Sequence, residues 1–194
     1  MADIKSICVF CGASTGNDPL FAEQATHLGR LIGTAGIRLV FGGGRIGLMG
    51  AVADGALAVG GEVIGVIPDY LKDLEHGHPH VTDLQVVDSM HSRKQRMFEL
   101  ADGFVTLPGG VGTLDETFEI VTWKQLRMHD KPIVIVDTGG YWKSFDTLVA
   151  NAVEAGFASP RTRTLYKVVQ NVEDVLTTLS TMPAEPIEAD SSRF

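Results

Sequence analysis

The chain has 194 residues, a formal net charge of −8 at neutral pH, 44% apolar residues and two cysteines. A chain of this length buries roughly 70% of the surface it exposes when unfolded, so one domain is expected, over 1–181, before an acidic, serine-containing tail over 182–194 that reads as disordered. The acidic balance excludes sequence-independent nucleic-acid binding, which needs a broad basic surface. No apolar stretch is as long as a membrane span and the first residues lack the layout of a signal peptide, so a cytoplasmic protein is expected.

Taken in chain order, β-branched runs alternate with glycine turns and helical segments. Ser6–Phe10 reads as the first strand. Cys8 and Cys11 lie on and just beyond it; three apart, they face opposite sides, and no second pair completes a zinc site, so this C-x-x-C reads as structural. A helix follows over Pro19–Thr34, with Leu20, Gln24, Leu28 and Leu31 spaced as one face. Next come a strand at Arg38–Phe41, a helix at Leu48–Val59 and a strand at Glu62–Ile67. His76, His78 and His80 alternate in a proline-containing loop that lacks a recognisable metal spacing and reads as solvated. The strand Leu84–Val87, helix Ser92–Leu100, strand Phe104–Leu107 and helix Leu114–Leu126 lead to the strand Ile133–Val136. Helix Trp142–Ala155, strand Lys167–Val169 and helix Val172–Leu179 finish the series. Most of these strands are too uniformly apolar for a half-exposed sheet. They predict an α/β fold, Rossmann-like and doubly wound, with a mostly parallel sheet of about seven strands and helices on both faces.

Three glycine loops fall at strand carboxyl ends, where this fold places its ligand: Gly12–Gly16, Gly42–Gly47 and Gly109–Gly112. None reads G-x-G-x-x-G followed by a well-placed acid, and no G-x-x-x-x-G-K-[ST] is present, which speaks against a dinucleotide or an ATP-hydrolysing P-loop. The third loop, Pro108-Gly109-Gly110-Val111-Gly112-Thr113-Leu114-Asp115-Glu116, joins a strand to a helix. Backbone N–H groups and a helix N-terminus there suit a single phosphate, with the Glu116 carboxylate beside it. Thr113 and Glu116 also have the spacing of a capping box, which accounts for those two residues but not for the proline and glycines before them. Upstream, Arg93 falls in the first turn of its helix, where a cation opposes the dipole preference and so implies an anionic partner. Arg96 shares its face and reads as solvated, while Lys94 is turned by about 100° towards a different group.

The P-G-G-x-G-T-x-x-E string, preceded by Met90-His91-Ser92-Arg93-Lys94 and by Cys11-Gly12-Ala13-Ser14 and Gly42-Gly43-Gly44, resembles the Lonely Guy (LOG) family. The likeness extends from about Ser6 to Leu179 and includes Thr122-Trp123-Lys124-Gln125-Leu126 and His129-Asp130-Lys131-Pro132. Members are cytokinin riboside 5′-monophosphate phosphoribohydrolases. The resemblance implies hydrolysis of the N-glycosidic bond of an adenosine 5′-monophosphate, often N6-prenylated, to free base and ribose 5-phosphate. It implies a catalytic pair in Arg93 and Glu116, and a phosphate and ribose site at Gly109, Gly110, Gly112 and Thr113. Met90, Lys94, Val111, Leu114, Asp115 and Thr122 match positions lining the nucleotide site, and Glu75 matches an upstream acidic position. A homodimer is implied, to which Trp123, Leu126 and Met128 could lend an apolar patch; no metal or cofactor is. The same site could serve plain AMP, and the molybdenum cofactor carriers resemble this fold and glycine loop without the hydrolase role. Proteins with this motif have also been labelled lysine decarboxylases, but a pyridoxal phosphate enzyme needs a lysine placed for a Schiff base, and Lys94 is the only lysine within the Met90–Lys94 and Pro108–Glu116 motifs.

Overall fold

The computed structural model describes residues 4–72 and 76–183. Among these, seven strands form one sheet in which every pairing is parallel: β1 (Ser6–Phe10), β2 (Arg38–Phe41), β3 (Val63–Pro68), β4 (Asp83–Val87), β5 (Gly103–Thr106), β6 (Ile133–Val136) and β7 (Lys167–Val169). The order is β4-β3-β2-β1-β5-β6-β7, so chain progression reverses between β1 and β5. Parallel strands need crossovers, which are supplied by α1 (Pro19–Thr34), α2 (Gly47–Leu57), a short α3 (Asp69–Lys72), α4 (Met90–Leu100), α5 (Val111–Gln125) and α6 (Lys143–Glu154), while α7 (Val175–Thr181) follows the last strand. The short α3 has no counterpart in the sequence reading.

The alternation along the strands sorts the core into two layers. Ile7 and Val9, Leu39 and Phe41, Val105, and Val134 and Val136 face α1, α2 and α7. Cys8 and Phe10, Val40, Phe104, and Ile133 and Ile135 face α4, α5 and α6. Cys11 joins the first layer and Cys8 the second, both as buried free thiols, so the C-x-x-C is divided by the sheet. Both faces of the central strands are covered, which is why they read as continuous apolar runs. The edge strand β4 is only partly covered, and its Val86 is exposed.

The buried face of α1 is Ala25, Leu28, Gly29 and Ile32, whereas Leu20 is exposed. Of the expected stripe, Leu28 is buried, Gln24 and Leu31 are half-buried, and Leu20, in the first turn that Asp18 caps by accepting from its N–H, is exposed. His78 departs from the solvated-loop reading: it is 2% exposed, with Nε2 3.1 Å from Asp54 Oδ1 and its ring edge against Phe41. Met182 packs against the first layer, and the remainder of the expected tail, 184–194, lies outside the described residues. No helix among the described residues is long and apolar enough to cross a membrane.

One buried histidine makes the fold pH-sensitive. His129 sits edge-on to Phe98 and Phe104, with the Lys131 ammonium 3.9 Å from the Phe98 ring centre. Its Nε2 donates to the Ile120 carbonyl at 2.9 Å and its Nδ1 accepts from the Lys131 N–H at 3.1 Å, which fixes the neutral tautomer. Burial first, helped by the neighbouring Lys124 and Lys131 charges, pulls its pKa down from 6.5 to about 4. The unfolded chain therefore takes up this proton at a higher pH than the folded one. The stability contribution is complete above pH ~6.5 and is lost as pH falls towards ~4, amounting to about 3 kcal/mol. Urea unfolding across that range should show this acid limb, and His129→Gln, which keeps a donor for Ile120 and does not titrate, should flatten it.

Candidate active site

The reversal between β1 and β5 opens a crevice at the carboxyl ends of the strands, where such sheets place their ligands. A cavity of about 380 Å³ lies there. It is lined by the end of β1 and the loop through Gly12 and Ser14, by the start of α5 and by α4. The first and third glycine loops are joined directly, with the Gly12 N–H donating to the Pro108 carbonyl at 3.0 Å, and the Leu48 N–H of α2 donates to the Gly12 carbonyl at 3.0 Å. The convergence expected of the three loops is therefore met, with Gly42 supplying the second.

Arg93 is the fourth residue of α4, whose N-cap Ser89 accepts from the Ser92 N–H at 3.1 Å. Its guanidinium turns inward and is 5% exposed. Nε donates to the Val66 carbonyl, in the second half of β3, at 3.1 Å and Nη2 to the Gly42 carbonyl, just past the end of β2, at 3.0 Å. Nη1 lies 3.9 Å from Glu116 Oε1. The anionic partner that its position implied is thus found within the protein. Gly42 must lack a side chain, since a Cβ there would run into the guanidinium and into Met49. Arg96 does not share this environment. It is half-exposed and pairs with Glu99 and Gln85, as a solvated face predicts.

Glu116 is 8% exposed and lines the cavity with Thr113 one turn before it. The capping-box reading of these two residues fails, because α5 begins at Val111 with Gly110 as N-cap, leaving Thr113 third and Glu116 sixth in the helix. Thr113 is instead held by its neighbours: its carbonyl accepts from Thr117 Oγ1 at 2.6 Å, and Thr117 meets Thr106 Oγ1 at 3.0 Å. Neither Gly110 nor Gly112 would bring a Cβ within 4 Å of any other group, so the packing of the chain does not demand a glycine at either position.

Of the residues expected at the site, Met90, Arg93, Gly110, Gly112, Thr113 and Glu116 line the cavity. Lys94 stands beside it, 3.1 Å from both Asp115 and Glu119. Partial burial alone would lower its pKa, but these carboxylates outweigh that and raise it, so Lys94 stays charged. Gly109 packs under Thr113 at the base of the loop. Leu114 packs against the second core layer, Val111 is 83% exposed, and Thr122 is exposed near the far end of α5; none of these three lines the cavity. Glu75 lies outside the described residues.

The sequence reading missed the cavity's apolar lining, Phe10, Met49 and Met97. Met97 carried a usable signal, standing four residues after Arg93 on the same helix face. Cys11 also lines the cavity, but burial, reinforced by Glu116, pushes its thiol pKa well up, so it is held as the neutral thiol.

The strand order and the cavity at its reversal define a doubly wound, Rossmann-type α/β protein. The family model described as "Possible lysine decarboxylase" matches residues 49–179. The cytokinin riboside 5′-monophosphate phosphoribohydrolase of Rhodococcoides fascians is 42% identical over 173 residues, covering 89% of this chain and 87% of its own. LOG7, the enzyme of the same name from Arabidopsis thaliana, is 41% identical over 172 residues, covering 89% of this chain and 79% of its own. Among solved structures, the molybdenum cofactor carrier protein from Chlamydomonas reinhardtii superposes with a TM-score of 0.69 over 93% of this chain and 98% of its own, at 22% identity, a likeness of fold alone. The chain belongs to the Lonely Guy family of cytokinin riboside 5′-monophosphate phosphoribohydrolases.

Arg93→Ala would leave the buried Glu116 without its cation and two backbone carbonyls without donors. Urea denaturation should register a loss of about 3–5 kcal/mol. A loss below ~1 kcal/mol would show the pair to be solvated.

Proposed function

We propose that the protein hydrolyses the N-glycosidic bond of a cytokinin riboside 5′-monophosphate, adding water to give the free base and ribose 5-phosphate. The observation that carries this reading is the buried Arg93–Glu116 pair in the lining of a cavity that the glycine-rich start of α5 also lines. The relatives at about 40% identity are named for this reaction.

The chemistry follows from the parts. Breaking a ribosyl–adenine bond builds positive charge on the sugar and needs a water at the anomeric carbon. In this reading Glu116 stabilises that charge and orients the water. The phosphate is held at the start of α5, where Gly110 and Gly112 leave the backbone bare for an anion to approach. Binding energy from this remote phosphate then holds the reacting carbon in place. Arg93 keeps the carboxylate oriented and does not protonate the leaving base, since a guanidinium stays charged and two of its nitrogens are committed to carbonyls. Lys94, Asp115 and Met90 border the nucleotide from α4 and α5.

The Chlamydomonas carrier shares the fold, but at 22% identity that likeness brings no role. A lysine decarboxylase is disfavoured because Lys94, the lysine beside the cavity, is bound to two carboxylates with its pKa raised, the opposite of a Schiff-base lysine. Lys124 is the lysine whose pKa burial lowers to about 8, and it lies outside the cavity lining, donating to the Lys131 carbonyl at 2.9 Å. The reading includes a cytoplasmic homodimer. Two free thiols accord with a reducing compartment, and Leu126 and Met128, 55% and 62% exposed, offer an apolar patch, while Trp123 is turned onto Phe98. Light scattering should give twice the chain mass, and Leu126→Asp with Met128→Asp should lower it.

The test of the activity is base release from isopentenyladenosine 5′-monophosphate, with AMP and the unphosphorylated riboside in parallel. Release from the prenylated monophosphate and not from the riboside is expected. Comparable release from AMP would make the protein a general AMP nucleosidase. Glu116→Gln should bind the monophosphate within a few-fold of the native protein yet lose at least about 10²-fold in turnover. Near-native turnover in that variant would remove Glu116 from the chemistry.

A further inference from the structure

Beyond the residues expected at the site, the side chain of Tyr141 reaches the backbone of its glycine loop. Tyr141 lies in the turn between β6 and α6, and its hydroxyl donates to the Gly109 carbonyl at 2.6 Å. The turn is built to hold it there. Gly139 and Gly140 adopt φ of 62° and 80°, a left-handed pair that swings the chain back over the strand ends. Asp137, buried beneath, accepts from the Trp142 N–H at 2.6 Å and from Gln170 at 3.3 Å. The Tyr141 ring is set edge-on between Phe21, 5.5 Å away, and Trp142, 4.9 Å away. Three separate contacts thus fix a tyrosine that is itself 42% exposed.

The position of that hydroxyl bears on the peptide joining Gly109 to Gly110. In a trans peptide the carbonyl of one residue and the N–H of the next point to opposite sides. Pinning the Gly109 oxygen against Tyr141 therefore turns the Gly110 N–H the other way, and Gly110 lines the cavity. With glycine on both sides, this peptide has little side-chain resistance to rotation. Thr113 packs against Gly109 but does not bond its carbonyl, so the tyrosine is the group that sets the peptide's orientation.

We propose that Tyr141 is a positioning residue, which aims the Gly110 N–H into the cavity as a donor for the substrate's phosphate. This rests on the reading of Gly109–Thr113 as the phosphate-holding loop. Tyr141 acts on a group distant from the bond that breaks. The other backbone N–H groups at the start of α5 still anchor the phosphate and keep the reacting carbon in place, so losing this one donor should weaken binding in ground and transition state alike and leave the chemical step intact.

Tyr141→Phe keeps the ring and its packing while removing the donor. Calorimetric titration with inorganic phosphate and with ribose 5-phosphate should show affinity for both falling about five- to tenfold, the size of one hydrogen bond. KM for the nucleoside monophosphate should rise by the same factor with kcat within about twofold. A second variant, Gly110→Pro, removes the N–H at an N-cap whose φ of −93° lies near proline's range. If Tyr141 works through that N–H, the double variant binds phosphate no more weakly than Gly110→Pro alone. Additive losses, or unchanged phosphate affinity in Tyr141→Phe, would overturn the proposal. A native protein that binds both probes but releases no base would overturn the hydrolase reading and leave Tyr141 to be judged on affinity. One that binds neither would remove the phosphate loop and the proposal with it.

Discussion

The Arg93 guanidinium is the point on which the site depends. A cation at 5% exposure is tolerated only if its donors are met, and here the carbonyls of Gly42 and Val66 meet two of them. Those carbonyls are available because β2 ends at Phe41: Gly42 lies just past it, and Val66, still within β3, lies one residue beyond the end of the β2–β3 pairing at Phe41 and Gly65. The guanidinium in turn gives the half of the sheet beyond β1 a fixed charge next to Glu116, which comes from the other half. The reversal of strand order thus does more than open a crevice. It brings an arginine from one winding and a carboxylate from the other to a single wall.

This arrangement restricts the chemistry before any substrate is considered. Arg93 is oriented by backbone, so it is a poor candidate for a group that moves during a reaction. Lys94, one residue on and turned away, is saturated by Asp115 and Glu119. Cys11 is held as the thiol. Glu116 is left as the side chain on the wall suited to answer developing positive charge, which is the demand that glycosidic cleavage makes.

Much of the fold was legible because its determinants are local or periodic. The limits of β1, β2, β6, β7 and α1 agree with those expected; glycine or proline lies at or near the ends of all but β7, a β-branched pair between polar residues. The starts of α4 and α5 were not legible. Both helices begin earlier than the sequence indicates, at Met90 and Val111, because their caps are a serine ahead of a methionine and a glycine inside a glycine run. The one-turn error at α5 is what made Thr113 and Glu116 look like a capping pair. His78 failed for a different reason: its partner, Asp54, is on α2, and no local pattern announces a contact between a loop and a distant helix. Arg93 was singled out through an electrostatic mismatch, which is a local signal. That its partners were two carbonyls and Glu116 depended on topology.

The glycine motif itself holds two kinds of residue that the sequence cannot distinguish. At Gly109 a Cβ would strike Thr113, so packing alone explains the glycine. At Gly110 and Gly112 a Cβ would meet nothing within 4 Å, and at Gly110 the backbone, at φ −93°, is open to any residue. Glycine costs conformational entropy wherever it stands, and its use where the folded chain has room for a side chain needs another cause. Both positions line the cavity at the first turn of α5, where unpaired N–H groups collect and where a side chain would occupy the space an anion needs. Packing thus accounts for the glycine at 109 and does not account for those at 110 and 112, a distinction that only the folded chain reveals.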